Sequence, residues 1–422
     1  MAERRPRVVI VGAGFGGLTL ARALRKVPVS VLLLDRNNYH LFTPLLYQVA
    51  SALLDPAEIA QPVRRLIRGL RNCHFRRATV TELDLDGHRV VTDRGAVDYD
   101  YLVLASGSST NYFGNRSLHE RSFGLKELPE GLALRNRVLD RFERSRWEAS
   151  PEVRRTMLSF AIVGGGPTGV EMAGALAELI GLVLHRDYPN LDHSETSVIL
   201  VEGSDRLLGG FHPSLSEAAR RALSRKGVDV RLGTMIKEVR SGEIEVQDGS
   251  SIRAGTVIWT AGVRGSELGT RLGVPVSRQG RATVTPTLQL EGRPEVFAIG
   301  DAGEANGLPM LIPVAMQQAR HVARALADII AERPLRPFVY KDPGIMATIG
   351  RNAAVAQLGR IRLSGFPGWV MWLAVHLVNV VTFRARFVVL LNWAWDYLLY
   401  DRPIRIIVRA APLPTAEHAE DQ

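Results

Sequence analysis

The chain has 422 residues, 46% of them hydrophobic and 23% charged, which is enough for about two or three domains and excludes wholesale disorder or a fibre. Its single cysteine, Cys73, excludes a disulfide framework, a cluster of thiolate ligands and any mechanism that needs a redox-active cysteine pair. Lys and Arg number 53 against 43 Asp and Glu, and the formal charge of +10 favours an anionic partner such as nucleic acid, a membrane surface or a phosphorylated ligand.

The first predicted elements are a strand, a glycine-rich turn, a helix and a second strand. The strands are predicted at 8–11 and 29–34 and the helix at 18–24. Gly12, Gly14 and Gly17 follow the GxGxxG pattern, in which the glycines permit a tight turn, the approach of a pyrophosphate and close helix packing. The second strand ends in Asp35, where a carboxylate accepts ribose hydroxyls. Together these features predict a dinucleotide site.

The same order of elements recurs in the middle of the chain. Strands are predicted at 160–163 and 198–201 and a helix at 170–180. Gly164, Gly166 and Gly169 repeat the glycine pattern, and Glu202 takes the place of the aspartate, 38 residues after Gly164. We interpret residues 185–197 as an insertion that lengthens this spacing. Because a carboxylate accepts a 2′-hydroxyl and repels a 2′-phosphate, the second site is predicted to take NADH rather than NADPH.

Each unit is followed by a strand that ends on small residues, at Ala105 and Gly107 in the first copy and at Gly262 in the second. A further strand at 296–299 runs into Asp301, which would reach the ribityl chain of a flavin. Two dinucleotide sites in one chain predict one resident and one exchangeable cofactor, with hydride transfer from a nicotinamide to a flavin. The predicted fold class is α/β, with two Rossmann-like dinucleotide-binding domains.

The composition changes after residue 360. Seven Arg and two Asp lie between Arg360 and Arg409, so half of the net charge lies in this stretch, together with four of the six Trp. Apolar segments at 369–383 and 387–400 are too short to span a hydrocarbon core of ~30 Å. They are predicted to be interfacial amphipathic helices, with Arg facing anionic lipids. Packing as ordinary core and a dimer interface are the alternatives.

Polar residues within this region recur at steps of three or four, which predicts a polar stripe along one helix. The residues of the stripe are His376, Asn379, Thr382 and Arg386.

Several segments together resemble the type II NADH dehydrogenases, which are single-subunit, non-proton-pumping NADH:quinone oxidoreductases of the two-dinucleotide-domain flavoprotein superfamily. The matching segments are residues 9–17, 35–40, 44–50, 162–171, 297–302, 315–319 and 346–351. The resemblance implies resident FAD at the first site, with Arg36 beside Asp35, and exchangeable NADH at the second. It also implies a quinone that reaches the flavin from the membrane, and a C-terminal membrane anchor.

The resemblance also implies roles for residues outside the glycine turns. Glu171 matches the acid that family members place beside nicotinamide and flavin, although the helix dipole alone also favours an acid in a first turn. Gln317 matches the second glutamine of the family's AQxAxQ quinone signature, and Ala315 and Gln318 adjoin it. Pro313 stands where the signature has its first glutamine.

The predicted function is that of a non-electrogenic NADH:quinone oxidoreductase on the cytoplasmic side of the cell membrane, attached peripherally, with no metal and no nucleic-acid partner. Homodimerisation stays open. The alternatives are a soluble NADH-dependent flavin reductase for a small redox protein, and a flavin-binding interaction module without turnover. The predicted divisions are FAD-binding parts at 1–115 and 276–335, an NADH-binding domain at 116–275 with its core at 157–265, a membrane-associating region at 336–410 and a disordered tail at 411–422.

Overall fold

The computed structural model of the chain describes residues 4–380, 382–399, 402 and 404–408, so the predicted tail at 411–422 lies outside the described residues. The strands are β1 (Arg7–Val11), β2 (Ser30–Asp35), β3 (Tyr39–Leu41), β4 (Ala60–Pro62), β5 (Cys73–Arg77), β6 (Val80–Asp84), β7 (Arg89–Thr92), β8 (Gly95–Asp98), β9 (Tyr101–Leu104), β10 (Ser108–Thr110), β11 (Ser159–Val163), β12 (Ser197–Val201), β13 (Val228–Arg231), β14 (Ile236–Arg240), β15 (Glu243–Val246), β16 (Ser251–Arg253), β17 (Thr256–Trp259), β18 (Val263–Gly265), β19 (Ala282–Thr283), β20 (Gln289–Leu290), β21 (Arg293–Ala298), β22 (Gly303–Glu304), β23 (Ile345–Thr348), β24 (Ala354–Leu358) and β25 (Ile361–Gly365). The α-helices are α1 (Phe15–Ala23), α2 (Leu46–Ala50), α3 (Pro56–Ile59), α4 (Val63–Ile67), α5 (Arg116–Arg121), α6 (Leu128–Ser145), α7 (Pro151–Met157), α8 (Pro167–Glu178), α9 (His185–Asp187), α10 (Pro213–Arg225), α11 (Glu267–Thr270), α12 (Ile312–Ile330), α13 (Phe366–Asn379) and α14 (Phe383–Leu399).

The first sheet has the strand order β20-β21-β9-β1-β2-β5, and all its neighbours are parallel except β20 and β21. Central strand β1 is buried on both faces, as its β-branched sequence predicts for a parallel sheet. Val8 and Ile10 pack in the cluster that contains residues of α1 and α12, whereas Val9 and Val11 pack on the other face with residues of β6 and β7. This alternation follows from the two-residue period of a strand.

The second sheet repeats the arrangement with the parallel order β13-β12-β11-β17. Ile162 of β11 lies between Leu200 and Ile258 of its two neighbours and packs in the cluster that contains residues of α8. Each parallel sheet is accompanied by a three-stranded antiparallel sheet, β6-β7-β8 in the first unit and β14-β15-β16 in the second. The predicted α/β fold with two Rossmann-like units is confirmed.

The longer spacing before Glu202 has a structural cause that differs partly from the insertion inferred from the sequence. Helix α8 continues through a π-helical segment, Leu179–Leu184, into α9, so the helical stretch covers Pro167–Asp187, 21 residues. Residues 185–187 of the supposed insertion therefore extend the helix, and only the remainder forms a connection to β12. Among the described residues this is also the one helical stretch with the length and hydropathy to cross a bilayer, but 72% of it is buried within the protein.

The C-terminal part begins with the antiparallel sheet β23-β24-β25, which packs against α8. Gly174 of α8 permits this contact, since a Cβ there would lie 2.6 Å from the carbonyl oxygen of Ile349. Helices α13 and α14 follow, and α13 packs on the sheet while α14 packs on α3. We refer to residues 345–408 as the C-terminal module.

The polar stripe predicted along one helix is wrong, because the helix ends at Asn379. The Thr382 hydroxyl instead accepts a hydrogen bond from the N–H of Ala385 at 3.2 Å and caps the start of α14. Arg386 donates through Nε to the carbonyl of Val380 at 2.8 Å, across the turn between the two helices. Thr382 and Arg386 therefore stabilise a helix–helix turn, whereas His376 and Asn379 bond to carbonyls within α13.

Candidate functional site

The first glycine turn leaves open space at the N-terminus of α1. Gly12 has a φ of +107°, and a Cβ on Gly17 would lie 1.8 Å from the carbonyl oxygen of Gly12, so both positions require glycine. Gly14, the N-cap of α1, has no heavy atom within 4 Å of the position where its Cβ would stand. The backbone N–H groups of the helix therefore face open space, which fits a pyrophosphate.

The second turn has the same construction. Gly164 has a φ of +112°, and a Cβ on Gly169 would again lie 1.8 Å from the carbonyl oxygen of the first glycine. Gly166, the N-cap of α8, is likewise open to space. The two turns therefore fit the same chemical group, the pyrophosphate of a dinucleotide.

The two acidic residues are oriented by matching hydrogen bonds. Asp35 accepts from the N–H groups of Ala13 and Asn37, both at 2.7 Å. Glu202 accepts from Gly165 at 2.5 Å and from Ser204 at 2.8 Å. Burial raises the pKa of Asp35, although the two N–H groups partly oppose that rise. Each carboxylate is thus tied to its own glycine turn.

Arg36 and the two sets of small residues lie beside these turns. Arg36 is exposed and forms an ion pair with Glu127 at the start of α6. A Cβ on Gly12 would meet the carbonyl oxygen of Ala105 at 2.2 Å, which brings Ala105 against the first turn. Gly107 has a φ of +71°.

Gly262, the small residue of the second unit, lies where the two units meet. Its carbonyl accepts from the N–H of Asn111 at 3.1 Å. Beside it, β18 of the second unit pairs with β10 of the first. The two candidate sites therefore adjoin one another.

Asp301 lies in a short 3₁₀ turn, Gly300–Ala302, after β21. Its Oδ2 accepts from the Ser108 hydroxyl at 2.5 Å and lies 3.6 Å from Nζ of Lys126. Sequence reasoning missed Ser108 and Lys126. The scarcity of lysine was the one available signal, since Lys126 is one of only five in an arginine-rich chain.

Arg281 was also missed and is the buried support of the Asp301 loop. Its side chain is 2% exposed, and Nη1 pairs with Glu304 at 2.7 Å and donates to the carbonyl of Leu308 at 2.8 Å. Nη2 donates to the carbonyl of Gly303 at 2.5 Å. One guanidinium therefore holds the chain segment that follows Asp301.

We expect Arg281→Met to destabilise the protein by about 3–5 kcal/mol, because the change leaves Glu304 and buried carbonyls without their donor. The purified variant should also retain less flavin, since the chain segment that follows Asp301 loses its hydrogen bonds to Arg281. Thermal unfolding and the ratio of flavin to protein absorbance measure the two effects. Arg278→Met, at an exposed position nearby, is the matched control and should change stability by less than about 0.5 kcal/mol. Equal losses in the two variants would contradict this role of Arg281.

The three residues assigned to the quinone lie around the start of α12 but are not equally available. Both polar atoms of the Gln317 amide bond to the backbone of Lys341, Nε2 to its carbonyl at 2.8 Å and Oε1 to its N–H at 3.0 Å. Gln318 is fully buried, and its Oε1 accepts from the N–H of Gly300 at 2.6 Å. Ala315 packs against Gly300, where a Cβ would come within 2.9 Å.

The Gln318 side chain retains one unused donor. Its Nε2 is buried without a partner among the described residues. A buried amide donor beside Gly300 and Asp301 fits an acceptor that the chain itself does not supply, such as a carbonyl of a flavin. Contact of Gln317, Gln318 and Ala315 with a quinone stays a prediction.

Glu171 lies within α8 and is 8% exposed. Its Oε1 accepts from the N–H of Thr348 in β23 at 3.3 Å, and the indole of Trp372 in α13 lies beside the carboxyl. Burial raises the pKa of Glu171 to about 8, although Thr348 and Trp372 favour the charged form. At neutral pH the carboxyl is therefore protonated at the contact between α8 and the C-terminal module.

We expect Glu171→Gln to be more stable than the parent protein, by an amount that grows as the pH rises toward 8. An unfolded glutamate ionises near 4.5 and the folded Glu171 only near 8, so between these values the unfolded chain releases a proton that the folded chain keeps. Stability of the parent therefore falls across this range. Unfolding temperatures at a series of pH values should separate by roughly 2–5 °C above pH 8. A difference that stays constant with pH would contradict the raised pKa.

Helices α13 and α14 expose an apolar surface on one side. The large hydrophobic side chains exposed there are Phe366, Val370, Val375, Val378, Phe383, Phe387, Leu390, Leu391, Trp395, Leu398 and Leu399. On the opposite side Trp372, Val389 and Trp393 are buried in the main core. We refer to the exposed set as the apolar face. Eleven exposed large hydrophobic side chains on two neighbouring helices are typical of a surface that contacts a membrane or another protein.

Helix α14 is attached to the first unit by two side-chain bonds. Trp393 donates through Nε1 to Oε1 of Gln48 at 2.9 Å, in a buried position. Asn392 donates to Oε1 of Glu58 at 2.5 Å, and burial raises the pKa of Glu58 to about 7. The apolar face is therefore fixed relative to the two glycine turns.

The chain matches two family models over most of its length. Residues 6–319 match the pyridine nucleotide-disulphide oxidoreductase family, and residues 343–400 match the NDH2 C-terminal domain. The type II NADH:quinone oxidoreductase Ndh of Mycobacterium tuberculosis is 38% identical over 410 residues, which cover 94% of this chain and 89% of that protein. The type II NADH:quinone oxidoreductase of Staphylococcus haemolyticus is 30% identical over 368 residues, which cover 84% of this chain and 90% of that protein.

Among solved structures, NDH2 from Plasmodium falciparum in complex with NADH has the same fold. The TM-score is 0.88 at 20% sequence identity, with 95% of this chain and 100% of that chain covered. The sulfide:quinone oxidoreductase of Aquifex aeolicus aligns with a TM-score of 0.71 at 18% identity, over 93% of this chain and 95% of that one.

Proposed function

The chain belongs to the type II NADH:quinone oxidoreductases, and we propose that its two glycine turns hold FAD and NADH while its apolar face admits a membrane quinone. It is an oxidoreductase with FAD as cofactor, NADH as electron donor and a quinone as acceptor. Its family is membrane-associated. The observation that carries the proposal is the pair of matching open turns, with Glu171 buried between the second turn and the module that bears the apolar face.

We propose that the first turn binds FAD through Gly12, Gly14 and Gly17, with Asp35 on the ribose and Asp301 on the ribityl chain. Bound there, FAD supplies an acceptor for the hydride of NADH and a donor of two electrons to the quinone. The open N-terminus of α1 stabilises the negative pyrophosphate. Ala105, Gly107 and Arg36 complete the proposed FAD contacts.

We propose that the second turn binds NADH through Gly164, Gly166 and Gly169, with Glu202 on the adenosine ribose and Gly262 farther along the dinucleotide. Glu202 supports the preference for NADH over NADPH, whereas Arg206, four residues later, is a cation that could accept a 2′-phosphate. The Nη2 of Arg206 donates to the carbonyl of Gly209 at 2.9 Å, so this cation is engaged with the backbone.

We propose that Glu171 and Gln317 complete the catalytic machinery. Glu171 is largely buried, and its pKa of about 8 favours the protonated form at neutral pH, so it suits holding the nicotinamide amide or exchanging a proton at its carboxyl. Gln317 is the proposed quinone contact, with Gln318 and Ala315, and Gln317 would have to leave Lys341 to donate to a quinone carbonyl.

We propose that the protein attaches peripherally to the cytoplasmic side of the cell membrane through the apolar face, with exposed arginines of the C-terminal module facing anionic lipids. Arg402 does not take part in this contact, because it is buried beside Glu178. The side chains of Phe383, Phe387 and Leu391 are 82%, 55% and 51% exposed, and Arg384 is exposed among them. Apolar residues next to a cation are typical of interfacial helices. Homodimerisation and the predicted domain limits stay predictions.

We expect the triple variant Phe383→Glu, Phe387→Glu, Leu391→Glu to bind vesicles at least about tenfold less well, because it removes apolar contacts and adds charges that anionic lipids repel. Co-sedimentation with vesicles of phosphatidylglycerol and phosphatidylethanolamine measures the effect. Val153→Glu, at a hydrophobic side chain 43% exposed on α7, is the control and should bind as the parent does. Unchanged binding of the triple variant would refute attachment through this face.

The proposed function is tested by purification in detergent, an absorbance spectrum and steady-state assays with NADH and NADPH against several quinones. We expect yellow protein that oxidises NADH faster than NADPH and reduces lipid-soluble quinones. Turnover with a small redox protein and none with quinones would support the soluble reductase instead. Bound flavin without turnover would support the interaction module.

A further inference from the structure

Two exposed hydrophobic side chains lie against glycines of the proposed NADH site. Met235 is 51% exposed and lies against Gly203, and Phe113 is 66% exposed and lies against Gly262. Scattered exposed hydrophobic residues are normal on a protein surface, so exposure alone indicates nothing. The positions of these two residues, one beside the acid of the second turn and one where the two units meet, indicate a shared ligand.

Met235 lies at the adenosine end of the site. It follows β13, which is parallel to β12, and β12 ends directly before Glu202. A Cβ on Gly203 would lie 2.3 Å from Sδ of Met235, and the N–H of Thr234 donates to the carbonyl of Glu202 at 2.9 Å. Ligands of parallel sheets bind outside the carboxyl ends of the strands. The thioether is therefore at the edge of the sheet where the base next to the ribose of Glu202 binds.

Phe113 lies at the end of the site that adjoins the first unit. It follows β10, in which the Ser108 hydroxyl donates to Asp301 of the proposed flavin site. A Cβ on Gly262 would lie 3.1 Å from Cζ of Phe113. Because hydride transfer requires the nicotinamide to meet the flavin, this end of the site suits the nicotinamide.

The backbone holds Phe113 outside the core in an unusual conformation. Its φ is +52°, in the left-handed region that bulky side chains rarely adopt. Its N–H donates to Oδ1 of Asn111 at 2.9 Å, and its ring meets Trp259 edge-on with the centroids 6.4 Å apart. Strained residues of this kind cluster at ligand sites, which gives the exposed ring a reason to be held there.

We propose that Met235 packs on the adenine ring and Phe113 on the nicotinamide ring of NADH, so that apolar side chains hold both planar ends of the dinucleotide. A thioether and an aromatic ring both make favourable contacts with flat heteroaromatic rings. Neither side chain carries a charge, so these contacts add affinity and leave the choice between NADH and NADPH to Glu202. The inference rests on the proposed NADH site.

The adenine contact is tested by isothermal titration calorimetry of the full-length holoenzyme in detergent. The two ligands are NAD⁺ and ADP-ribose, which has the adenine but lacks the nicotinamide, and neither reduces the flavin. Met235→Ala should weaken both ligands about threefold to tenfold, because both carry the adenine. Met235→Leu preserves an apolar contact and should keep most of the affinity. An affinity of Met235→Ala for ADP-ribose equal to that of the parent would overturn this contact.

The nicotinamide contact is tested by the same titrations on Phe113→Asn. This variant should weaken NAD⁺ about threefold to tenfold and ADP-ribose by less than about twofold, because only NAD⁺ carries the nicotinamide. Asparagine tolerates a positive φ, so the fold should be kept while the ring is lost. Phe113→Tyr keeps the ring and should bind NAD⁺ as the parent does. Parental affinity of Phe113→Asn for NAD⁺, or an equal loss for both ligands, would overturn this contact.

Failure of the proposed NADH site is distinguishable from failure of these contacts. A parent protein that binds neither NAD⁺ nor ADP-ribose would refute the site and both contacts with it. Binding that Gly166→Ala weakens, but that the changes at positions 113 and 235 leave unaltered, would refute the contacts alone. Val153→Ala, at an exposed position on α7, is the matched control and should bind both ligands as the parent does.

Discussion

Gly14→Ala should yield folded but colourless protein, with affinity for FAD about 10–100-fold lower. A Cβ at this N-cap meets no protein atom within 4 Å, and its φ of −70° suits alanine, so the fold should not change. The added methyl group would instead occupy the space in which the pyrophosphate approaches the backbone. Flavin absorbance after purification and titration with FAD measure the loss.

Gly166→Ala is the matched variant at the second turn, because it is equally open and has a φ of −72°. It should keep the yellow flavin and lose affinity for NADH by a similar factor. The opposite pattern, with colour lost at Gly166 and kept at Gly14, would mean that the two sites are assigned in reverse. Gly17→Ala should have a different effect, the loss of folding stability, because its methyl group would collide with the carbonyl oxygen of Gly12.

Glu171→Gln should lower turnover with NADH and quinone by about two orders of magnitude, the usual effect of losing a positioned acid or base. Glutamine can still accept from the Thr348 N–H but cannot hold or release a proton at the same atom. The pH–rate profile of the parent should bend near pH 8, the pKa of the buried carboxyl, and this bend should be absent in the variant. Steady-state kinetics across pH with a saturating quinone measures both effects.

Glu171→Asp is the informative control, since it restores an ionisable group on a shorter side chain. Partial recovery of turnover together with a bend in the profile would support proton exchange at this position. Full activity of Glu171→Gln at every pH would contradict a catalytic role. The acid, which lies beyond the first turn of α8, would then serve only the contact of that helix with Thr348.

The glycine turns, the acidic strand ends and the order of strands could be predicted because each is encoded by residues close in the sequence. Gly12, Gly17 and Asp35 lie within one βαβ unit, so spacing alone relates them. The hydrogen bonds from Asp35 and Glu202 to their own turns add an orientation that spacing does not specify.

The supports of the Asp301 loop could not be predicted, because they join distant parts of the chain. Ser108 lies 193 residues from Asp301 in sequence, and nothing in the pattern around Arg281 marks it as buried. The polar stripe was wrong for a related reason. The spacing of the polar residues predicts a stripe only if all of them lie on one helix. In the structure Arg386 donates to Val380 across the turn between helices α13 and α14.

For the C-terminal helices, the sequence predicts the helices themselves but not the side that is buried. Their composition indicates apolar helices with aromatic residues, but it does not say which face is buried. Trp393 donates to Gln48 across a separation of 345 residues, and Ala385 and Val389 pack in the core on the same side of α14, so contacts distant in sequence set its buried side. Gln317 likewise matches a quinone signature, yet its amide is held by Lys341, 24 residues away.

The most direct test of a single flavin shared by two substrates is anaerobic stopped-flow mixing of the purified protein. NADH should bleach the flavin absorbance in the first mixing step, and a lipid-soluble quinone added in the second should restore it fully without added oxygen. Bleaching that the quinone cannot reverse, or quinone reduction with no change at the flavin, would contradict a site in which the two substrates meet the same ring.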